Sequence, residues 1–110
     1  MPFKIRPYRR FLVSCPVRYL VGRFQGHGTV WDVSRSGWRF SGNLPVRIGE
    51  VCSLMVSLPT RQRVYVATGI VRWVRGEEYG VETLEMDEES QADLDEYLRQ
   101  RESESDENSE

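Results

Sequence analysis

From Val17 to about Leu84 the chain never holds a helical pattern long enough to make a helix. β-Branched and aromatic residues gather instead in short runs: "VRYLVG", "GTVWDVS", "WRFSG", "VCSLMVSL", "VYVATGIVRWV" and "YGVETL". Gly22, Gly37, Gly42-Asn43, Pro59 and Arg75-Gly76 separate them. About six strands at this spacing predict an all-β fold, an antiparallel barrel or sandwich. Gly69, inside the longest run, marks a bulge or a barrel corner.

One helix is predicted, from about Glu88 to Arg101. Asp87 is its N-cap, Glu88 and Glu89 suit the positive end of the dipole, and Arg99 and Arg101 suit the negative end. Leu94, Tyr97 and Leu98 form a narrow apolar stripe that would close an open end or edge of the barrel. Beyond Arg101, "ESESDENSE" has no apolar residue and is expected to be disordered. The organisation read from the sequence is an N-terminal arm over residues 1–15, a barrel over 16–86, a helix over 87–101 and an acidic tail over 102–110.

At 110 residues the chain fits one domain. Its net charge of −2 conceals a separation: residues 1–80 hold 13 Lys+Arg against 4 Asp+Glu, and residues 81–110 hold 2 against 13. Such a distribution pairs a basic surface for an anionic partner with an acidic end. Lys4 is the sole lysine, so the basic residues are almost all arginine, the side chain suited to bidentate phosphate and guanine contacts. Cys15 and Cys52 are too few for a disulfide framework or a zinc site, even with His27 added. Both read as buried thiols, and His27 in "GHG" as a loop residue. No metal site is predicted.

The N-terminal "FKIRPYRRFLVSC" imitates twin-arginine and lipoprotein export signals, but only Phe11 to Ser14 lie between the basic segment and Cys15, too short for the apolar stretch such signals need. No run approaches the length of a membrane span. The expectation is a soluble, cytoplasmic protein without membrane insertion.

Two segments carry the chemistry. In "WDVSRSGWRF", strand alternation would turn Trp31 and Val33 inward and display Asp32 and Ser34 outside, with Gly37 supplying a positive-φ turn into the next strand. In "RPYRR", Pro7 pushes Arg6 towards extended backbone, so the segment reads as a bent arm whose guanidinium groups gather on an anion. Trp38, Phe40 and Trp73 read as core, and Arg39, Arg72 and Arg75 as surface, with Arg39 placed to extend the basic face. His27, Asp32 and Ser34 invite a catalytic-triad reading, but nothing resembles a nucleophile elbow, and no enzyme activity is expected.

"RPYRR", an R-x-x-x-R from Arg6 to Arg10, followed by "DVSRSG", a D-x-S-x-x-G from Asp32 to Gly37, resembles the PilZ domain. "GIVRWVRGEEYGVETLEMDEES" is similar to that family's closing strands and helix entry, so the likeness spans nearly all of residues 5–100. The resemblance implies a six-stranded antiparallel β-barrel with one C-terminal helix, no catalysis, no cofactor, and cyclic di-GMP as ligand. Carried over by position, Arg6 and Arg10 would grip phosphates and guanine edges with Arg9 assisting. Asp32 would accept from guanine N–H groups, Ser34 would add a hydroxyl contact, and Gly37 would keep the backbone close to the nucleotide. Ile5, Arg35, Arg39 and Trp73 are auxiliary candidates. The implied role is a receptor or adaptor that changes conformation on binding and signals to a partner protein in motility, exopolysaccharide or biofilm control. Two alternatives stand beside it: a small basic barrel binding single-stranded nucleic acid, against which the acidic tail argues, and a PilZ-like protein–protein adaptor that binds no nucleotide.

Overall fold

A computed structural model describes residues 9–108. Six strands, β1 (Phe11–Val21), β2 (Phe24–Val33), β3 (Gly37–Gly42), β4 (Val51–Ser57), β5 (Arg63–Arg75) and β6 (Glu78–Met86), precede one helix, α1 (Glu88–Asn108). All pairings are antiparallel, and the order β1-β2-β3-β6-β5-β4 closes on itself through β1 and β4. Closure leaves no sheet edge to protect.

Alternating inward residues fill the barrel. Tyr19, Phe40 and Tyr79 form its aromatic centre, with ring centroids 4.9 to 6.4 Å apart. The Tyr19 ring rests where Gly26 and Gly42 have no side chain; a Cβ on either would come within 2.8 Å of it. Its hydroxyl donates to the Leu44 carbonyl at 2.6 Å and accepts from the Leu44 N–H at 2.8 Å. Tyr19→Phe therefore strands a backbone donor and is expected to cost about 1–3 kcal/mol in a urea melt.

Several predicted boundaries move. β1 begins at Phe11, inside the segment read as arm, and buries Phe11 and Cys15. A register shift between Leu12 and Cys15 breaks the alternation there. His27 is an outward strand residue paired with Arg18, not a loop residue. The irregularity expected at Gly69 is present, with register shifts on both sides of β5.

Leu94, Tyr97 and Leu98 are buried in the core as their spacing predicts. The Ser90 hydroxyl accepts the Tyr65 N–H at 2.9 Å and helps pin the first turn of α1 to β5. The helix does not stop at Arg101 but continues to Asn108, through most of the stretch expected to be disordered. No Gly or Pro interrupts "ESESDEN", and Arg101 stands 3.9 Å from Glu104 one turn on. No helix among the described residues is long and apolar enough to cross a membrane.

Cys15 and Cys52 are both free and buried. Burial, with a smaller contribution from Glu50, pushes the Cys52 thiol from its ordinary 9.0 up to about 11. Above pH 9 the unfolded chain loses this proton while the folded chain keeps it, so stability is full below pH 9 and falls as pH rises towards 11. Burial raises Cys15, Tyr19 and Tyr79 in the same direction. Melting temperature is expected to drop between pH 8.5 and 11, less steeply in Cys52→Val, which has no proton to lose.

Candidate functional site

The segment from Trp31 to Gly37 is shaped by a β-bulge. The β2–β3 register slips between Val30 and Asp32, so Val30 and Val33 both point inward and Trp31 turns out, donating its indole N–H to Ser41 Oγ at 2.9 Å. Strict alternation misplaces Trp31 for this reason. Asp32 remains on the outside, as expected, directly opposite Arg39.

Ser34 is not displayed outside but buried. Its N–H donates to the Gly37 carbonyl at 3.0 Å, and its hydroxyl accepts the Ser36 N–H at 3.2 Å. The Ser36 carbonyl in turn accepts the Thr83 N–H at 2.9 Å and ties the loop to β6. Serine at this position builds the loop first, and offers a hydroxyl second. Gly37 opens β3 without a positive φ, contrary to the turn role read from the sequence. What it supplies is space: a Cβ there would lie 3.1 Å from the Val81 carbonyl oxygen and 3.9 Å from Arg10 Nη1.

Arg10 joins the two motifs. Its Nε donates to Asp32 Oδ1 at 2.7 Å and its Nη1 to Ser34 Oγ at 3.3 Å. Arg39 Nε stands 3.9 Å from the other Asp32 oxygen and Arg39 Nη1 donates to Glu78 at 3.2 Å. Asp32 thus sits between two guanidinium groups, which remain about a third or less exposed. Beside them is a cleft of about 210 Å³ walled by Arg10, Ser36, Gly37, Arg72, Trp73 and Glu82. Arg72 pairs with Glu82 at 2.7 Å and Trp73 lies across Gly80, so Trp73 is a cleft wall and not core. Arg72 and Ser36 were missed as site residues; the only signal for Arg72 was its place on the outward phase of β5.

The other candidates fall elsewhere. Arg9 turns away from Arg10 and lies over the Phe11 ring at 5.3 Å, bordering a second cleft with Arg35, Leu98 and Glu102. Arg35 reaches α1 and holds Asp95 through two contacts, at 3.0 and 3.3 Å. Ile5 and Arg6 lie outside the described residues.

The closed barrel carries a helix packed on β5 and gathers arginines on a carboxylate at its rim, where guanidinium groups can pair with anions and the carboxylate can accept N–H donors. The sequence profile of the PilZ domain matches residues 4–100, and the chain belongs to the PilZ domain family, whose members are binding and adaptor proteins. Among solved structures the fold is similar to that of the Bacillus subtilis inhibitor of motility MotI/DgrA, with a TM-score of 0.77 and 18% identity. That superposition covers 93% of this chain but 53% of the other, so this chain spans about half its length. No curated protein matches the sequence.

Proposed function

We propose that the protein is a cyclic di-GMP receptor of the PilZ family that passes the signal to a partner protein in the cytoplasm. The observation carrying this reading is the convergence of Arg10, from the R-x-x-x-R segment, on Asp32 and Ser34 of D-x-S-x-x-G, across 22 and 24 residues of sequence. A guanine presents N–H donors to a carboxylate and O6/N7 acceptors to a guanidinium, and the phosphates take further arginines. Arg10 and Asp32 satisfy each other directly. A guanine entering between them exchanges that contact for one with each, so neither group is left unpaired.

Arg6 is the second phosphate and guanine contact and Arg9 an auxiliary; Gly37 lets the nucleotide approach the backbone. Arg39 holds Asp32 in place while Arg10 changes partners, and Trp73 offers its ring to a base at the cleft. The Arg35–Asp95 contact links the ligand loop to α1, giving binding a route to the helix. Motility, exopolysaccharide or biofilm control is the output this family reading supports, and no cofactor enters it. Calorimetry with cyclic di-GMP is expected to show micromolar or tighter binding and to give the ligand number directly. No heat and no shift in melting temperature at high micromolar ligand would exclude the proposal.

A further inference from the structure

We propose that the outer wall formed by β2, β1, β4 and β5 is a docking surface for an acidic protein segment that carries apolar anchors. The proposal names the chemistry of a partner and stands independently of nucleotide binding. His27, Arg18, Met55 and Tyr65 are register partners across these four neighbouring strands, so their side chains form one row on the outside of the barrel. At the usual strand spacing the row is about 14 Å long. Arg63, opposite Ser57, stands one step along the same face, and Leu20 one step in the other direction.

The wall is apolar where a soluble surface has no need to be. Met55 is 36%, Tyr65 40% and Leu20 43% exposed. Its strands carry charge of one sign: β1, β4 and β5 contain no aspartate or glutamate, and the single acid of β2, Asp32, belongs to the rim, while the acidic start of α1 meets the wall only at its β5 edge, beside Tyr65 and Gln62. The described arginines that hold ion pairs lie at that rim, on its loop, on β5 beyond the wall, or on α1. Arg18 and Arg63 have no ion-pair partner among the described residues.

Between Arg18 and Arg63 runs a groove of about 280 Å³ lined also by Pro16, His27, Met55 and Ser57. Its size suits a side-chain anchor flanked by carboxylates. A nucleic-acid strand fits less well, because it stacks bases on several aromatics and tracks a row of cations, whereas Met55 and Leu20 are not aromatic and two arginines flank them. Charge and shape together favour a glutamate- or aspartate-rich segment bearing leucine or phenylalanine.

The test uses the full chain and three fluorescein-labelled probes: a dodecapeptide of glutamate, leucine and phenylalanine, its lysine-for-glutamate counterpart, and an oligothymidylate of equal length. The acidic peptide is expected to bind with a dissociation constant on the order of 10–100 µM. Arg18→Glu with Arg63→Glu should weaken it about tenfold or more, and Met55→Ser severalfold, with melting curves confirming that each variant folds. Arg10→Ala should bind it like the wild type, separating this wall from the nucleotide rim. No binding, equal or tighter binding of either control probe, or indifference to the wall variants would overturn the proposal. So would a concentration-dependent dimer abolished by Met55→Ser, which would assign the wall to self-association.

Discussion

Arg10→Ala is expected to weaken cyclic di-GMP binding by about a hundredfold or more in calorimetry while the barrel stays folded. A good bidentate arginine–guanine pair is worth about 1–3 kcal/mol, and in the proposed binding mode Arg10 also serves a phosphate, so two contacts disappear together. The cost to folding is far smaller. The Arg10–Asp32 contact is partly exposed, and Asp32 keeps Arg39 at 3.9 Å after Arg10 is gone. A change of about 1 kcal/mol or less in stability is expected, a few degrees in melting temperature. Arg10→Lys separates charge from geometry: it keeps the cation but not the planar fork, and should recover only part of the affinity. Asp32→Asn adds the converse check, since it retains one carbonyl acceptor but no charge to hold Arg10. If Arg10→Ala bound the dinucleotide like the wild type, the convergence of the two motifs would be a structural contact only.

Much of this arrangement is legible in the sequence, and the failures have identifiable causes. Six β-rich runs and one apolar stripe suffice for the barrel and its capping helix, because period-two and helical patterns report burial directly. Alternation fails at bulges: Trp31 is assigned inward because a register slip beside Asp32 cannot be seen from composition. The first half of β1 is hidden by the register shift between Leu12 and Cys15, which breaks its alternation. "GHG" reads as a loop, yet Gly26 and Gly28 belong to β2, where one makes room for the Tyr19 ring and the other for a neighbouring backbone. Arg10 and Asp32 are singled out by motif, and the fold brings them to a 2.7 Å contact. Arg72 is not found as a cleft wall, and Trp73 is named only as an auxiliary candidate, since a cleft depends on how β5 and β6 curve past the β2–β3 loop. Arg39 reaches Asp32 because the bulged register sets them opposite each other, which spacing alone does not reveal.

Gly28→Ala is expected to be the most damaging single-methyl change in the described barrel. Gly28 faces Gly42 across β2 and β3. A Cβ on Gly28 would overlap the Ser41 carbonyl oxygen and lie 2.7 Å from its carbon and 2.8 Å from Gly42 Cα. These are backbone atoms of a paired strand, so no rotamer change relieves the clash; β3 must move, and β3 also carries Trp38 and Phe40 into the core. Overpacking that side chains can absorb costs about 1–3 kcal/mol, and a displaced ladder costs more. A loss of about 4 kcal/mol or greater, a large part of the stability of a domain this size, should appear as a collapsed urea midpoint or as aggregation on expression. Gly22→Ala supplies the contrast. That glycine has φ +61° and nothing within 4 Å of a new Cβ, so its penalty is conformational, about 1–2 kcal/mol. If Gly28→Ala melted as high as Gly22→Ala, β3 would be free to shift, and the rim it builds with Arg39 and Gly37 could not be the fixed wall that the proposed nucleotide site requires.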